Sequence, residues 1–131
     1  MVKKCAIWMF FMLFLVCSGN ADSPAHSKES RGDQKYEITF IELGSVKCIP
    51  CRMMQPVMKK VEGNFAGKVR VVFYDVWTTE GKSYTAQYRM RAIPTQVFLD
   101  RDGNELYRHI GYFPYEEIVE LLKKYSVKPV K

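Results

Sequence analysis

The stretch GSVKCIPCRMMQP, from Gly44 to Pro56, contains two cysteines, Cys48 and Cys51, with two residues between them. A C-x-x-C pair can attach a haem, ligate a metal ion, close a structural bridge, or exchange electrons. Haem attachment requires a histidine directly after the second cysteine, and Arg52 stands there instead. A stabilising disulfide framework would need more cysteines, further apart. Metal binding and electron exchange are therefore the two chemistries to compare.

Metal binding has few candidate ligands outside the cysteine pair. Structural zinc usually takes four ligands, and the only histidines are His26 and His109, far apart in the sequence. Copper(I) is the better alternative, because it prefers soft sulfur ligands and Met53, Met54 and Met58 follow the motif. Met54 and Met58, four positions apart, are equally typical of the inner face of a helix. We assign no metal ligand and keep a copper(I) carrier as an alternative.

Redox exchange fits the residues best. A cysteine at the N-terminal end of a helix faces free N–H groups and the positive end of the helix dipole, and both favour the thiolate. Cys48 precedes the predicted helix and is expected to be the exposed attacking thiolate, with Lys47 and Arg52 adding positive charge. Cys51, inside the first turn, is expected to be buried and to resolve the mixed disulfide. Pro50 supports the turn, because a missing N–H costs little at a helix start.

The N-terminal residues 1–21 have the pattern of a secretory signal peptide. Lys3 and Lys4 precede an apolar run from Cys5 to Cys17, and small residues follow. The run is about thirteen residues, shorter than the roughly 20 that span a bilayer. We therefore expect cleavage after Ala21 and a periplasmic or secreted protein.

A lipid anchor at Cys17 is less favoured, because the bulky Val16 precedes it. Residues 22–34 are polar and predict a flexible linker, so that a single folded domain covers residues 35–131. The full chain has a net charge of +6, and loss of the leader leaves 18 basic and 14 acidic residues, or +4. These charges are spread along the chain, unlike the basic stripe of a nucleic-acid-binding protein, which we exclude.

Hydrophobic periodicity predicts the order β-α-β-α-β-β-α in an α/β domain. The predicted elements are strands at Tyr36–Gly44 and Val69–Val76, a helix from Pro50 to about Phe65, a short helix before Arg91, two strands flanking the turn at Asp100–Gly103, and a helix from Pro114. Trp77, Tyr84 and Tyr88 are interpreted as packing residues.

The segments CIPCRMMQP, RAIPT and IGY together resemble the thioredoxin family. The resemblance covers about residues 36–125 and implies the thioredoxin fold, a central mixed β-sheet flanked by helices. Pro56 matches the proline that kinks the active-site helix, and Ile49 lies between the cysteines with Pro50. By the same resemblance, Glu42 matches a buried acid that helps to move protons for the resolving cysteine.

The substrate side of the site also follows from the resemblance. Ile93, Pro94 and Thr95 match the loop whose proline is cis and lies against the disulfide. Gly111 matches the glycine of the last strand that lets a substrate chain approach. Partner proteins are therefore expected to bind by extended backbone pairing beside Pro94.

Several positions differ from the family pattern. Val46 and Lys47 replace the usual tryptophan before the first cysteine, and the acid is Glu42 rather than aspartate. Phe73 stands where a lysine usually faces that acid. The N-terminal strand and helix of thioredoxins have no clear counterpart in the linker. Glu42 could accordingly be either the proton relay or a strand-end carboxylate in water.

These residues predict an exported thiol–disulfide oxidoreductase with no cofactor besides the Cys48–Cys51 disulfide. Ile93 before the proline and the overall resemblance favour a reductase of extracytoplasmic protein disulfides, as in cytochrome c maturation or a disulfide-reductase pathway. We expect a monomer that receives electrons from a membrane-embedded donor. A disulfide oxidase or isomerase, a copper(I) carrier, and an adaptor that lost the exchange are the alternatives.

Overall fold

The computed structural model describes residues 36–130, and the predicted signal peptide and linker lie outside the described residues. The element order is the predicted one. The elements are β1 (Ile38–Gly44), α1 (Ile49–Asn64), β2 (Val69–Asp75), α2 (Ser83–Gln87), β3 (Thr95–Leu99), β4 (Glu105–Ile110) and α3 (Tyr115–Lys124).

The four strands form one mixed sheet in the order β2-β1-β3-β4. β1 runs parallel to β2 and antiparallel to β3, and β3 is antiparallel to β4. β1 is an inner strand with helices over both faces, which explains why its sequence is apolar on both faces. The predicted fold class is confirmed as a mixed sheet flanked by helices.

Alternation along β1 divides the core between the two faces of the sheet. Ile38 and Phe40 pack in a cluster with residues of α1 and α3, whereas Ile41 and Leu43 pack on the other face, towards α2. Glu42 and Gly44 alternate to the same face as Ile38 and Phe40, so both face α1. The candidate acid therefore lies on the sheet face that carries the C-x-x-C helix.

The inner face of α1 is apolar at helical spacing. Its buried residues are Cys51, Met54, Val57, Met58 and Val61. Met54 and Met58 are thus core residues, as the helical interpretation of their spacing predicts. Among residues 36–130, no helix combines the length and apolarity needed to cross a bilayer.

Candidate redox site at the start of helix α1

Cys48 and Cys51 are joined by a disulfide at the N-terminal end of α1, with their Cα atoms 5.2 Å apart. Cys48 is the N-cap residue, with extended backbone, and its Sγ accepts a hydrogen bond from the Cys51 N–H at 3.4 Å. A side chain at the N-cap normally satisfies one of the free N–H groups of the first turn. The Cys48 sulfur fills this role, so the helix start can also stabilise negative charge on that sulfur.

The two sulfurs differ in their access to solvent. Cys48 is half-buried, whereas Cys51 is fully buried. The side chains next to Cys48 in the sequence, Lys47 and Ile49, are exposed, and Ile49 has 66% of its surface accessible. A large partner in solution can therefore reach Cys48 and not Cys51.

The remaining motif residues shape the helix start. Pro50 lies in the first turn of α1 and is exposed, in agreement with the tolerance of proline there. Pro56 lies inside the same helix, also on the exposed side. Arg52 is exposed after the motif, and its N–H donates to the Cys48 carbonyl at 3.0 Å.

Asp75, the last residue of β2, holds the segment that leads into Cys48. Its carboxylate accepts hydrogen bonds from the N–H groups of Val46, at 3.2 Å, and Trp77, at 3.1 Å. Partial burial alone would raise the pKa of Asp75, but these bonds, the Ser45 hydroxyl and the charge of Lys47 together hold it below its ordinary value. A stable carboxylate thus joins the loop after β1 to the loop after β2.

A first row of residues crosses the sheet end beneath the disulfide. Gly44 pairs with Asp75 on β2. On its other side, Leu43 pairs with Thr95 of β3, so the next position along places Pro94 beside Gly44. A Cβ on Gly44 would lie 3.1 Å from the Cβ and 3.2 Å from the Sγ of Cys51, so the buried cysteine rests against this glycine. The row ends at Gly111, whose N–H donates to the Pro94 carbonyl at 2.8 Å.

The loop before β3 completes this end of the sheet. The peptide bond between Ile93 and Pro94 is cis, and Pro94 and Thr95 are both buried. The Thr95 hydroxyl donates to the Ala92 carbonyl at 2.6 Å, which closes the loop. Gly111 has a φ of +100°, and no atom lies within 4 Å of the position its Cβ would take. The surface beside Pro94 and Gly111 is therefore open.

A second row of residues crosses the sheet on the same face. On each strand it lies two residues further from the disulfide than the first row. Strand register aligns Phe73, Glu42, Gln96 and His109 across β2, β1, β3 and β4. Glu42 is fully buried, so the alternative of a strand-end carboxylate in water is wrong. The Gln96 Nε2 donates to the Glu42 Oε2 at 2.8 Å. Burial raises the pKa of Glu42 to about 8, against the opposing effect of the Gln96 hydrogen bond.

Comparison with known proteins identifies the family. Residues 24–126 match the family model of the thioredoxin-like domain. The chain belongs to the thioredoxin-like family. It is 30% identical to a thioredoxin of Staphylococcus epidermidis over 99 residues, which cover 74% of this chain and 92% of that protein. It is also 30% identical to a thioredoxin of Staphylococcus aureus over 95 residues, covering 71% and 88%.

A solved structure shows the same fold. The crystal structure of chloroplastic thioredoxin z superposes with a TM-score of 0.61 at 24% identity, over 69% of this chain and 79% of that one. The thioredoxin relatives and the Cys48–Cys51 pair make this thioredoxin-like protein a thiol–disulfide oxidoreductase. Thioredoxin-like proteins act on protein disulfide substrates.

Three residues of this thioredoxin-like site were missed from the sequence: Gly44, Asp75 and Gln96. Gln96 carried the clearest signal, because it is the one amide within the short strand TQVFL and its position alternates to the same face as Phe98. Its partner Glu42 lies 54 residues away, and only the strand register brings the two together. Asp75 ends a strand, where a carboxylate is common, so its position gave no distinct signal.

In the described part of the thioredoxin-like domain, the methionines of the copper(I) alternative lie on different sides of α1. Within residues 36–130, no group of three or more His, Cys, Asp or Glu side chains is placed to hold a metal ion. Of the neighbouring methionines, the Met54 sulfur accepts a hydrogen bond from the Phe113 N–H at 3.3 Å inside the core. Met53 is about half exposed, whereas Met58 is buried.

Proposed function

We propose that this protein is an exported reductase of protein disulfides in which Cys48 attacks and Cys51 resolves. The observation that carries the proposal is the contrast between the half-buried sulfur at the N-cap of α1 and the fully buried sulfur one turn later. An attacking sulfur must be reachable and must be stabilised as an anion. Cys48 meets both requirements, and Lys47 and Arg52 add positive charge nearby.

The electron balance requires a dithiol donor. The Cys48 thiolate attacks one sulfur of the substrate disulfide, the substrate S–S bond breaks, and the departing substrate sulfur takes up a proton. The Cys51 thiolate then attacks the Cys48 sulfur and releases the second substrate thiol. The substrate gains two electrons, and the protein is left with the Cys48–Cys51 disulfide. A dithiol donor, proposed to be membrane-embedded, returns the two electrons, with no separate cofactor.

Glu42 is proposed as the proton carrier for Cys51. It lies on the face of β1 towards α1, two residues before the glycine that touches Cys51. A carboxyl group with a pKa of about 8 exists in both protonation states near neutral pH, which suits it for accepting and returning a proton. Cys51 must lose a proton before it resolves the mixed disulfide and regain one when the pair is reduced.

The substrate segment is proposed to lie beside Pro94 in extended conformation. The space beside Gly111 is open, and the hydrogen bond from its N–H to the Pro94 carbonyl places this open space next to the proline. Tyr112 and Ile110, exposed by 42% and 52%, add apolar surface there for a partner chain. Ile93, which is partly exposed, precedes the proline and completes the proposed substrate contact. Thr95 is fully buried and supports the loop from inside through its hydrogen bond to the Ala92 carbonyl.

Export is proposed from the leader sequence alone, with a monomeric mature protein beginning at Asp22. Expression of the full chain in a bacterial host, followed by fractionation and intact mass measurement, tests this. A periplasmic product that starts at Asp22 supports export. A full-length product in the cytoplasm contradicts it, and a mature protein that begins with a lipid-modified Cys17 supports the anchored alternative.

Insulin reduction by dithiothreitol tests the exchange reaction. The purified protein is expected to accelerate precipitation of the insulin B chain, and Cys48→Ser is expected to abolish the acceleration. Cys51→Ser is expected to accumulate a mixed disulfide with insulin through Cys48. Full activity of Cys48→Ser would overturn the assigned roles.

The direction of electron flow is tested by equilibration with glutathione buffers. The reduction potential of thioredoxin is about −270 mV, and that of a dedicated oxidase is about −120 mV. A reductase is expected to have a reduction potential closer to the thioredoxin value. A potential near the oxidase value would contradict the reductase proposal and leave the exchange chemistry in place.

A further inference from the structure

Glu42 and Gln96 contain an unusual pair of buried oxygens. Both side chains are fully buried, and the Gln96 Nε2 donates to the Glu42 Oε2 at 2.8 Å. Their other oxygens, Glu42 Oε1 and Gln96 Oε1, are the only buried side-chain polar atoms without a hydrogen-bond partner within residues 36–130. Native proteins contain few such atoms, and each calls for a physical explanation.

One proton would satisfy both oxygens. A carboxylate oxygen and an amide oxygen are both acceptors, so neither can pair with the other while Glu42 is ionised. A proton on the Glu42 Oε1 turns that atom into a donor, and the Gln96 Oε1 is the acceptor available to it. The Nε2 of the same amide already donates to the other carboxyl oxygen, Glu42 Oε2. An acid and a primary amide then exchange two hydrogen bonds, one in each direction.

We propose that Glu42 and Gln96 form a reciprocal acid–amide pair, and that Gln96 is a positioning residue that holds the Glu42 proton in readiness for Cys51. The kinetic part of this proposal rests on the proposed function, whereas the pair itself does not. No other polar group is needed to complete the pair.

The surroundings favour a neutral pair. On β2, the aromatic Phe73 is in register with Glu42. The buried faces of α1 and α3 consist of sulfur-containing and aliphatic side chains. Among these, Cys51 is the one that titrates once the disulfide is reduced. His109 lies two strands away on β4, where its ring stacks on Phe113 and its Nε2 is 3.2 Å from the Tyr112 carbonyl oxygen. Within the described residues, these elements place no lysine or arginine against Glu42.

The proton then moves in balance with the electrons. When the dithiol donor attacks Cys48, the Cys48–Cys51 bond breaks, and Cys51 leaves with the electron pair as a thiolate. The Glu42 Oε1–H supplies the proton that converts this thiolate to a thiol, and the resulting carboxylate keeps its hydrogen bond from the Gln96 Nε2. When Cys51 later resolves a mixed disulfide, it returns the proton to Glu42.

The pair is tested first by NMR on the oxidised wild-type protein, without any assay of activity. The Glu42 side-chain carboxyl carbon is expected to report a protonated acid at pH 6.5, and the Gln96 side-chain N–H signals are expected to shift as Glu42 ionises. An ionised Glu42 at that pH, or Gln96 signals that do not respond to its titration, would overturn the pair.

Variants then separate positioning from structure. Gln96→Met keeps the length of the side chain and removes both hydrogen bonds, and Gln87→Met makes the same change at an exposed position of α2. Gln96→Met is expected to move the Glu42 titration to higher pH, because the ionised carboxylate loses the charge-assisted hydrogen bond from the Gln96 Nε2, which is stronger than the neutral hydrogen bonds that the protonated acid loses. The same variant is expected to slow dithiothreitol reduction of the Cys48–Cys51 disulfide at least threefold. Gln87→Met is expected to change neither. A Gln96→Met protein with the wild-type titration and rate profile would contradict the positioning role.

Glu42→Gln replaces the acid with an amide that resembles the protonated carboxyl group but does not titrate. Its amide can repeat both hydrogen bonds to Gln96, so its urea midpoint at pH 7 is expected to equal or exceed that of the wild type, whereas Glu42→Leu is expected to lower it. Equal losses in the two variants would overturn the pair. Wild-type NMR that shows the pair in a protein without insulin-reduction activity would instead reject the proposed function and leave the pair standing.

Discussion

Phe73 lies directly beside Glu42 in the parallel register of β2 and β1, at the position where the resemblance to thioredoxins implies a lysine. A lysine would favour the charged carboxylate, whereas an aromatic ring adds burial without charge. Burial consequently raises the pKa of Glu42 to about 8. The acid on the face towards the disulfide helix is therefore mostly neutral at pH 7, and several predictions depend on that state.

The stability of the oxidised protein should fall as the pH rises from about 4.5 to about 8. In the unfolded chain Glu42 releases its proton near 4.5, whereas in the folded protein it keeps it until about 8. The folded state binds more protons throughout this window, so the free energy of unfolding decreases by about 5 kcal/mol across it. Below pH 4.5 both states are protonated and the contribution is fully present.

Urea denaturation at half-unit pH steps measures this decline, with Glu42→Gln as the control in which it should disappear. Three other carboxyl groups have a lowered pKa and therefore titrate at more acidic pH: Asp75, Asp100 and Glu105. The decline between pH 4.5 and 8 is therefore assigned to Glu42. A wild-type profile that stays flat or rises between pH 5 and 8 would show that Glu42 is ionised in the folded protein.

Phe73→Lys should lower the pKa of Glu42 by roughly one unit or more, because an ammonium group beside the acid favours its charged form. Phe73 is only partly buried, so a lysine can be accommodated there without complete desolvation of its charge. Phe73→Met is the matched control for the loss of the ring. Carbon-13 NMR of the Glu42 carboxyl group provides the measurement, and identical titrations in the two variants would refute the prediction.

Gly44→Ala should destabilise the oxidised protein by about 1–3 kcal/mol, because the added methyl group overpacks a filled site. It would lie 3.1 Å from the Cys51 Cβ and 3.3 Å from the Phe73 ring. Gly63→Ala is the control: it lies in α1 with no atom within 4 Å of its Cβ position, and alanine should stabilise that helix by about 0.5–1 kcal/mol. Urea midpoints that move in the same direction would contradict the packing account.

Asp75→Ala should loosen the segment that leads into Cys48. The N–H groups of Val46 and Trp77 lose their carboxylate acceptor, and their amide hydrogens should exchange with solvent roughly tenfold faster. Asp102→Ala, in the exposed turn between β3 and β4, should leave both rates unchanged. Unchanged protection of Val46 in Asp75→Ala would mean that other contacts hold the segment.

The sequence predicted best those features that depend on local pattern. The spacing of Met54, Val57, Met58 and Val61 predicted α1, and the β-branched and aromatic residues of β1 predicted an inner strand. The five-residue helix α2 was located only loosely, since none of its residues is buried and its pattern has little periodicity. Tyr84 connects it to the sheet by stacking on Tyr74, with ring centroids 3.5 Å apart.

Contacts between distant residues could not be predicted in this way. Glu42 and Gln96 meet through the β1–β3 register, and Asp75 reaches Val46 across 29 residues of sequence. Trp77 was interpreted as a packing residue, and this was wrong: 61% of its surface is exposed. Its N–H rather than its ring is held by Asp75, and sequence patterns do not reveal such backbone contacts.

The different accessibility of the two sulfurs is tested most directly by alkylation of the reduced protein. Limiting iodoacetamide at pH 7, followed by peptide mass spectrometry, reports which cysteine reacts first. Modification confined to Cys48, with Cys51 protected until the chain is unfolded, is the predicted result. Equal modification of both cysteines, or faster modification of Cys51, would contradict the assignment of Cys48 as the attacking sulfur.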